Sequence, residues 1–196
     1  MRLKKLEADE NRQKILQAAT TLFKARGADN VSVQDLMKAA GFTHGGFYHH
    51  FSSKTELVSE VVAYAFDQAL AHMNGDHPEL SVDPTAIIDR IRYYPTKEHR
   101  DDPGAGCPTG SLPVDVTRQP FEAQQAFARG LERYLALMIA GASLSRHNSI
   151  AILATLVGGI TLSRAVQIGD PSLSDEILEV IQKRVQHEMS DLQKRT

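Results

Sequence analysis

Apolar residues recur every three or four positions over long stretches of this chain, which is the spacing of helices that bury one face. The first stretch runs from Asn11 to Arg26 and ends at Gly27. Its apolar positions are Ile15, Ala18, Ala19, Leu22 and Phe23. No segment shows the alternation of apolar and polar residues that is typical of a strand. The pattern therefore predicts an all-α protein of about nine helices.

Two short helices are predicted next. Ser32 to Asp35 has the form of a capping box, in which the two end side chains each bond a backbone N–H at the start of a helix. This helix is expected to run to about Ala40, and Thr43 can cap another from about His44 to His50. Two short helices joined by a turn of about three residues have the layout of a helix-turn-helix.

Beyond residue 51 the same spacing predicts five longer helices and one short one. They lie at 53–74, 85–94, 121–140, 149–168 and 174–194, with the short helix at 112–118. A second capping box, Ser53 to Glu56, begins the first of these. Residues 95–110 contain three prolines and three glycines and are predicted to form a loop, long enough to suggest a function.

Composition adds few constraints. The chain has 196 residues, 42% of them hydrophobic, which is ordinary for a globular protein. The N-terminus is charged and no apolar run reaches about 18 residues, so neither a signal peptide nor a membrane span is predicted, and a cytoplasmic protein is expected. A single cysteine, Cys107, excludes an intramolecular disulfide and a cysteine-based zinc site.

Charge is unevenly distributed. Residues 1–58 carry nine Lys/Arg and six Asp/Glu, a net +3, whereas residues 59–196 carry thirteen and eighteen, a net -5. The basic end is the candidate for an anionic partner, although a difference of this size is weak evidence.

The first third of the chain resembles a known family. Residues 15–58, ILQAATTLFKARGADNVSVQDLMKAAGFTHGGFYHHFSSKTELV, are similar throughout to the DNA-binding domain of TetR-type transcriptional regulators. The matching positions include Ala19, Phe23, Gly27, Ser32, Gly41, Gly45, Tyr48, Phe51, Lys54 and Leu57. The resemblance implies a helix-turn-helix domain at 1–58, with residues 1–10 as a disordered arm, and a helical domain at 59–196 for effector binding and dimerisation. It implies a repressor without a cofactor that binds a palindromic operator as a dimer and is released by a small effector; an activator with the same binding mode stays open.

The resemblance and the residue chemistry together predict which side chains contact DNA. Tyr48 and Lys54 look like phosphate contacts, the lysine at a helix start that favours anions. His44 is expected to contact the bases. The family usually has a small polar residue at the position of Gly46, and because glycine has no side chain to contact a base, more of the sequence readout is expected to fall to His44. The predicted set is Ser32, Thr43, His44, Gly45, Gly46, Tyr48, His49 and Lys54.

The neighbours of these residues have other expected roles. Phe47 and Phe51 are expected to be core, and His50 to pack against the scaffold. Ser32 has an N-cap role that is at least as plausible as a phosphate contact. Arg12 and Lys14, with the basic residues of the arm, are expected to add nonspecific attraction to phosphates.

Histidines raise the question of a metal site or an enzyme. His49 and His50 project about 100° apart on a helix, and no Asp, Glu or Cys lies in residues 43–51, so no metal site is predicted there. His72, Asp76 and His77 straddle a predicted loop and are interpreted as solvated. Cys107 and His99 suggest a thiol and a base, but no third group is identifiable, so the chain is not expected to be an enzyme.

Apolar and amphipathic residues on several helices can form either a ligand cavity or core, and the sequence leaves both interpretations open. They are Phe66, Ile91, Tyr94, Leu112, Phe127, Leu131 and Tyr134. Cys107, in PGAGCPTG, resembles the Gly-Cys loop of a subset of these regulators whose cysteine responds to electrophiles or oxidants. A helix start or Arg100 nearby would favour its thiolate, and an inert buried thiol is the alternative.

The last two helices are expected to form the dimer. Leu178, Ile181, Val185, Met189 and Leu192 make one stripe, and Gly158-Gly159 permits close helix approach. The family commonly dimerises through two helices of each subunit. The predicted interface is Gly158, Leu162, Leu178, Ile181 and Val185, with purely intramolecular packing of the stripe as the alternative.

Overall fold

The computed structural model describes residues 2–74 and 84–193, and within this part the side chains of residues 6–73 and 87–191. These residues form helices and connecting turns with no strand, which confirms the all-α prediction. Eleven helical elements are present in the described ranges instead of about nine. They are α1 (Arg2–Arg26), α2 (Val33–Ala39), a 3-10 helix (His44–His49), α3 (Lys54–Asn74), α4 (Pro84–Tyr93), α5 (Lys97–Asp101), α6 (Pro108–Ser111), α7 (Pro113–Val116), α8 (Phe121–Ala142), α9 (Arg146–Val166) and α10 (Pro171–Gln193).

Two segments differ from the predicted secondary structure. Residues 95–110, expected to be a loop, contain α5 and α6, because Thr96 caps α5 and Pro108 occupies the first position of α6, where a missing N–H is harmless. The expected disordered arm is helical from Arg2 onward. Residues 2–26 contain no glycine or proline and are rich in good helix formers, which outweighs their charge.

The N-terminal head consists of α1, α2, the 3-10 helix and the start of α3. Their inner faces meet in one buried cluster that includes Ile15, Phe23, Leu36, Phe47, Phe51 and Leu57. Gly27 and Gly41 follow α1 and α2 with φ of +81° and +82°, a conformation that glycine adopts without strain. Gly27 thus lets the chain turn from α1 toward α2, and Gly41 lets it turn from α2 toward the 3-10 helix.

The C-terminal part is built on two helix pairs. The helices α3 and α8 pack closely because Gly130 has no side chain; a Cβ there would overlap the ring of Phe66. That ring meets Phe127 edge to face, with 5.1 Å between centroids. The other pair, α9 and α10, forms a hairpin in which the buried hydroxyls of Ser163 and Ser174 lie 2.8 Å apart.

The apolar character of α9 has a packing explanation. In the described part it is the one helix long and apolar enough to cross a membrane by length and composition, although no such segment was expected from the sequence. Its residues Ile152, Leu156 and Ile160 are nonetheless buried in the core. A helix covered on two sides needs apolar residues on both.

The predicted dimer stripe is corrected by the structure. Leu178, Ile181 and Val185 are only 4%, 8% and 3% exposed and pack within the protomer. Gly159 lies beneath this stripe, because a Cβ at Gly159 would overlap Ile181, whereas a Cβ at Gly158 would meet no atom within 4 Å. The intramolecular alternative therefore holds for these three side chains; the side chain of Leu192 is outside the described part.

Candidate functional site

The 3-10 helix presents a small exposed surface on a rigid base. Phe47 is fully buried and stacks on Phe51, with ring centroids 5.6 Å apart. Tyr48, edge to face with Phe47, remains 67% exposed. His44 and His49 are also exposed. The buried phenylalanines therefore hold in place a surface formed by the other side chains of the same turn.

Neither glycine of this helix is required by packing. A Cβ at Gly45 would meet no atom within 4 Å, and one at Gly46 would make an ordinary 3.4 Å contact with Met37. Neither has a left-handed φ. With about 2.0 Å of rise per residue, the six-residue 3-10 helix is about 12 Å long. The protein's own fold thus gives no reason for glycine at these two positions.

Three helices begin near this surface, and the hydrogen bonds that cap two of them differ from the sequence predictions. Ser32 and Asp35 form the expected capping box, and the hydrogen bonds from Ser32 lower the pKa of Asp35. Thr43 is exposed but makes no side-chain cap. At α3 the box is altered: Ser53 accepts the N–H of Glu56, but the Glu56 carboxylate turns back to accept the backbone N–H of Ser52 at 2.7 Å.

The basic residues of the head differ in whether they are free to contact a phosphate. Lys54 begins α3, beside the 3-10 helix, and is partly exposed. Arg12, expected to attract phosphates, bonds instead to Glu60 and to the carbonyl of His50, and lies over the ring of Phe51. Lys14 remains exposed. Arg12 is therefore a structural cation that fastens α1 to α3, which corrects the prediction.

A cavity of about 330 Å³ lies where the head meets the C-terminal helices. Its walls come from α1, α3, α4, α8 and the segment from Tyr94 to Cys107. The lining residues are Lys24, Ala65, Gln68, Ala69, His72, Met73, Arg90, Tyr93, Tyr94, Glu98, His99, Asp102, Ala105, Gly106, Cys107 and Tyr134. Of the residues predicted to bind a ligand, Tyr94, Cys107 and Tyr134 are in this wall.

The other predicted ligand residues belong to the packing around the cavity. Phe66 and Leu112 are almost fully buried in the core, and Phe127 and Leu131 pack against it. Ile91 lies on the far side of α4, in a separate groove against α10. Cavity-lining residues that sequence reasoning missed include Lys24 and Arg90, whose charge favoured an assignment to the surface.

His99 has a structural role. It is 3% exposed, its Nδ1 lies 2.8 Å from the Tyr94 carbonyl, and its Nε2 accepts the backbone N–H of Cys107 at 3.2 Å. This arrangement places the proton on Nδ1. Burial lowers the pKa of His99 to about 4. Since its free lone pair is used by a backbone N–H, His99 has no acceptor left for the thiol of Cys107.

The Cys107 thiol lies at the cavity wall, half-buried. Its Sγ is 3.0 Å from the hydroxyl of Thr109 and also contacts Tyr134. Burial raises the pKa values of Tyr134 and of Tyr94, which keeps both phenols neutral. Arg100, expected near the thiol, instead bonds Asp101, Asp175 and Ser174.

The head is joined directly to the cysteine segment. The ammonium of Lys24, on α1, donates to the carbonyl of Gly106 at 2.9 Å. Burial lowers the pKa of Lys24, while Cys107 and Asp102 act in the opposite direction. On the other side of the segment, Arg164 of α9 donates to the carbonyls of His99, Arg100 and Gly110. The segment is thus held between α1 and α9.

An apolar face on α9 and α10 stays exposed. A shallow groove there is lined by Ala154, Thr155, Gly158, Gly159, Leu162, Leu173, Glu176, Ile177, Val180 and Ile181. Leu162 and Val180 are 59% and 60% exposed. Two of the predicted dimer residues, Gly158 and Leu162, therefore lie on the surface, next to Ile181 of the buried stripe, which lines the same groove.

Comparison with known proteins relates the N-terminal head to one family. Residues 15–61 match the family described as bacterial regulatory proteins, tetR family. The match covers most of the N-terminal head and the start of α3. The chain is 46% identical over 57 residues to the HTH-type transcriptional regulator AcrR of Shigella flexneri, a match that covers 29% of this chain and 26% of AcrR. Matches to other curated relatives span from 25% to 56% of their length.

Solved structures show the TetR-type fold over nearly the whole chain. A TetR transcriptional regulator from Chloroflexus aurantiacus aligns with a TM-score of 0.74 at 18% identity, covering 97% of each chain. NemR from E. coli, in its reduced form, aligns with a TM-score of 0.67 at 22% identity, covering 91% of this chain and 96% of NemR. At these identities the likeness shows the fold of this chain.

No metal site accompanies these features in the described part of the chain, where no group of three His, Cys, Asp or Glu side chains is placed to hold an ion. His72 lies at the cavity, with Nδ1 3.2 Å from the carbonyl of Gln68. Asp76 and His77 lie outside the described residues.

Proposed function

We propose that this chain is a cytoplasmic repressor that binds a palindromic DNA operator as a dimer and is released when a small molecule enters the cavity. The observation that carries the proposal is that α3 runs from the exposed 3-10 helix to the cavity. It begins at Lys54, beside the exposed 3-10 helix, and its later residues Ala65 to Met73 form one wall of the cavity. One helix therefore reaches both places and can carry a change at the cavity to the exposed 3-10 helix.

The exposed surface suits the major groove. A helix about 12 Å long, carrying exposed His44, Tyr48 and His49 on a buried phenylalanine base, can enter a groove about 12 Å wide. The two glycines without a packing role allow close approach to the bases. His44 would then read bases, and Tyr48 and Lys54 would contact phosphates on either side. In contrast, the Ser32 hydroxyl is occupied by Asp35, at 2.6 Å, which favours its role as an N-cap.

The exposed face of α9 and α10 is the surface we assign to the dimer. Two copies would pack Leu162, Val180 and the open side of Gly158 against each other. A dimer is needed because one head makes few base contacts, whereas two heads read two half-sites.

Cys107 supports a thiol-reactive effector as one form of the signal. Its sulfur lies at the wall of the cavity, and the preceding carbonyl, that of Gly106, holds Lys24 of the head. Modification of the sulfur would displace the Gly106 carbonyl and thereby disturb α1. Replacing Cys107 by Ser should abolish the response of DNA affinity to a quinone while leaving the affinity itself unchanged.

The central test is selection of DNA from a random pool by the purified chain, followed by binding measurements over a range of salt. Lys54→Met should reduce the salt slope by about one phosphate contact per head, and Tyr48→Phe should weaken binding to selected and random DNA alike. His44→Ala should reduce the preference for selected DNA. Lys183→Met, in an exposed lysine of α10, is the matched control. Failure of the wild-type chain to enrich any sequence would refute the proposal.

The dimer surface has its own test. Leu162→Glu should produce monomers in sedimentation experiments, whereas Val114→Glu should not. Leu162 and Val114 are 59% and 58% exposed, so the two substitutions expose the same kind of charge to water in a monomer. Equal behaviour of the two variants would remove Leu162 from the interface.

A further inference from the structure

The cavity contains two cations that have no carboxylate partner among the described side chains. Lys24 makes one hydrogen bond, to the carbonyl of Gly106. The guanidinium of Arg90 lies 5.9 Å from the centre of the Tyr93 ring and forms no ion pair with a described residue. Both side chains line the same cavity.

The two cations act on the same lining residue. Both act on the charge of His99, where each disfavours protonation and so contributes to its low pKa. His99 itself stays neutral near pH 7, so it adds no third charge.

The two acidic residues of the lining are not bonded to these cations, although the charge of Asp102 raises the pKa of Lys24. Asp102 accepts the backbone N–H of Ala105 at 3.0 Å, which uses one of its oxygens within its own turn. Glu98 is exposed to solvent. Neither carboxylate forms an ion pair with Lys24 or Arg90 in the described part of the structure.

Apart from Gln68 and His72, the rest of the wall is apolar or aromatic. Ala65, Ala69 and Met73 come from α3, and the rings of Tyr93, Tyr94 and Tyr134 face them from other elements. A volume of about 330 Å³ is in the range of small-molecule sites. A ligand that matched this wall would carry one anionic group and a compact, preferably aromatic, body.

We infer that the cavity binds a small amphipathic carboxylate, whose head group is held by Lys24 and Arg90 and whose body packs on the tyrosines. This names the class of effector and rests on the proposed function. The carboxylate offers both cations charge-assisted hydrogen bonds, which are about twice as strong as neutral ones.

Calorimetry with three probes of one shape tests the inference. Phenylpropionate, phenylpropanamide and phenylpropylamine share a body and differ in the charge of the head. The wild-type chain should bind the carboxylate at least about tenfold more tightly than the amide, and the amine most weakly. Equal binding of carboxylate and amide, preference for the amine, or no binding of the carboxylate would each overturn the inference.

Variants separate a ligand contact from a structural effect. Lys24→Met and Arg90→Met should each lower the affinity for phenylpropionate about tenfold while the affinity for the amide stays the same. Glu98→Gln, which removes a lining charge of opposite sign, should keep the preference for the carboxylate. If both cation variants retain that preference, the assignment is wrong. Enrichment of DNA by the same wild-type protein is measured separately, so failure of the ligand class and failure of the regulator proposal are distinguishable.

Discussion

Gly45→Ala is expected to change stability and DNA affinity in opposite directions. A Cβ at this position meets no atom within 4 Å, and the residue is exposed in a helical turn. Replacing glycine by alanine in a helix gains about 0.5–1 kcal/mol, because the unfolded chain loses conformational freedom. For a chain of this size that corresponds to a rise in Tm of about 1–4 °C.

The same methyl group should weaken binding to DNA. If Gly45 lies against the bases, the added Cβ occupies space that the DNA needs, and a loss of about tenfold, or 1.4 kcal/mol, is of the size of one mismatched base pair. The salt slope should not change, because no phosphate contact is removed. The assay is fluorescence anisotropy with a fragment selected from random DNA by the wild-type protein, paired with thermal unfolding of the same samples.

A reverse substitution provides the control. Ala128→Gly, at an exposed position of α8, should lower stability by up to about 1 kcal/mol without changing DNA affinity. It shows whether a stability change of this size affects binding. Unchanged DNA affinity in Gly45→Ala would refute the close approach of this turn to DNA. A fall in the Tm of this variant would refute the conclusion that a Cβ at position 45 meets no other atom of the protein.

Three further predictions test packing, charge and pH. Gly159→Ala should cost about 1–3 kcal/mol in urea unfolding, because its Cβ overlaps Ile181, whereas Gly158→Ala should not lower stability. Arg12→Met should lower the unfolding free energy by about 1 kcal/mol, because Arg12 bonds Glu60. The salt slope of DNA binding should stay unchanged, and a smaller slope would show that Arg12 contacts a phosphate. The pKa of His99 falls from 6.5 to about 4 on folding, so the unfolded chain binds more protons between these values and stability is lost as the pH falls from about 6.5 toward 4. From pH 7 to pH 5 the wild type should lose about 2 kcal/mol more than His99→Gln in urea unfolding, and equal losses would contradict the neutral, buried imidazole.

Much of the head could be predicted because its signals are local. The pattern from Ile15 to Phe23, the Ser32–Asp35 box and the glycines after α1 and α2 each act within a turn or two of helix. The exposure of Tyr48 and the burial of Phe47 also follow from short-range spacing on one small helix. The structure agrees with the sequence at these points because the information lies in neighbouring residues.

The prediction of the dimer stripe was wrong for a different reason. Spacing identifies which residues of α10 share a face, and Leu178, Ile181 and Val185 do share one. It does not identify what that face meets. Since α9 approaches over Gly159, the stripe is covered within the protomer, and the less regular apolar residues Leu162 and Val180 remain outside.

Sequence patterns were thus sufficient for the helical class of the chain, the caps and ends of its first helices, and the division of residues 44–51 into buried and exposed positions. The cavity depended on tertiary packing. Lys24 and Tyr134 are far apart in sequence, yet both line it, because α1, α3, α4 and α8 meet around the segment that holds Cys107. The burial of the lining residues and the lowered pKa of Lys24 arise from these long-range contacts, which hydrophobic periodicity along a single helix does not encode.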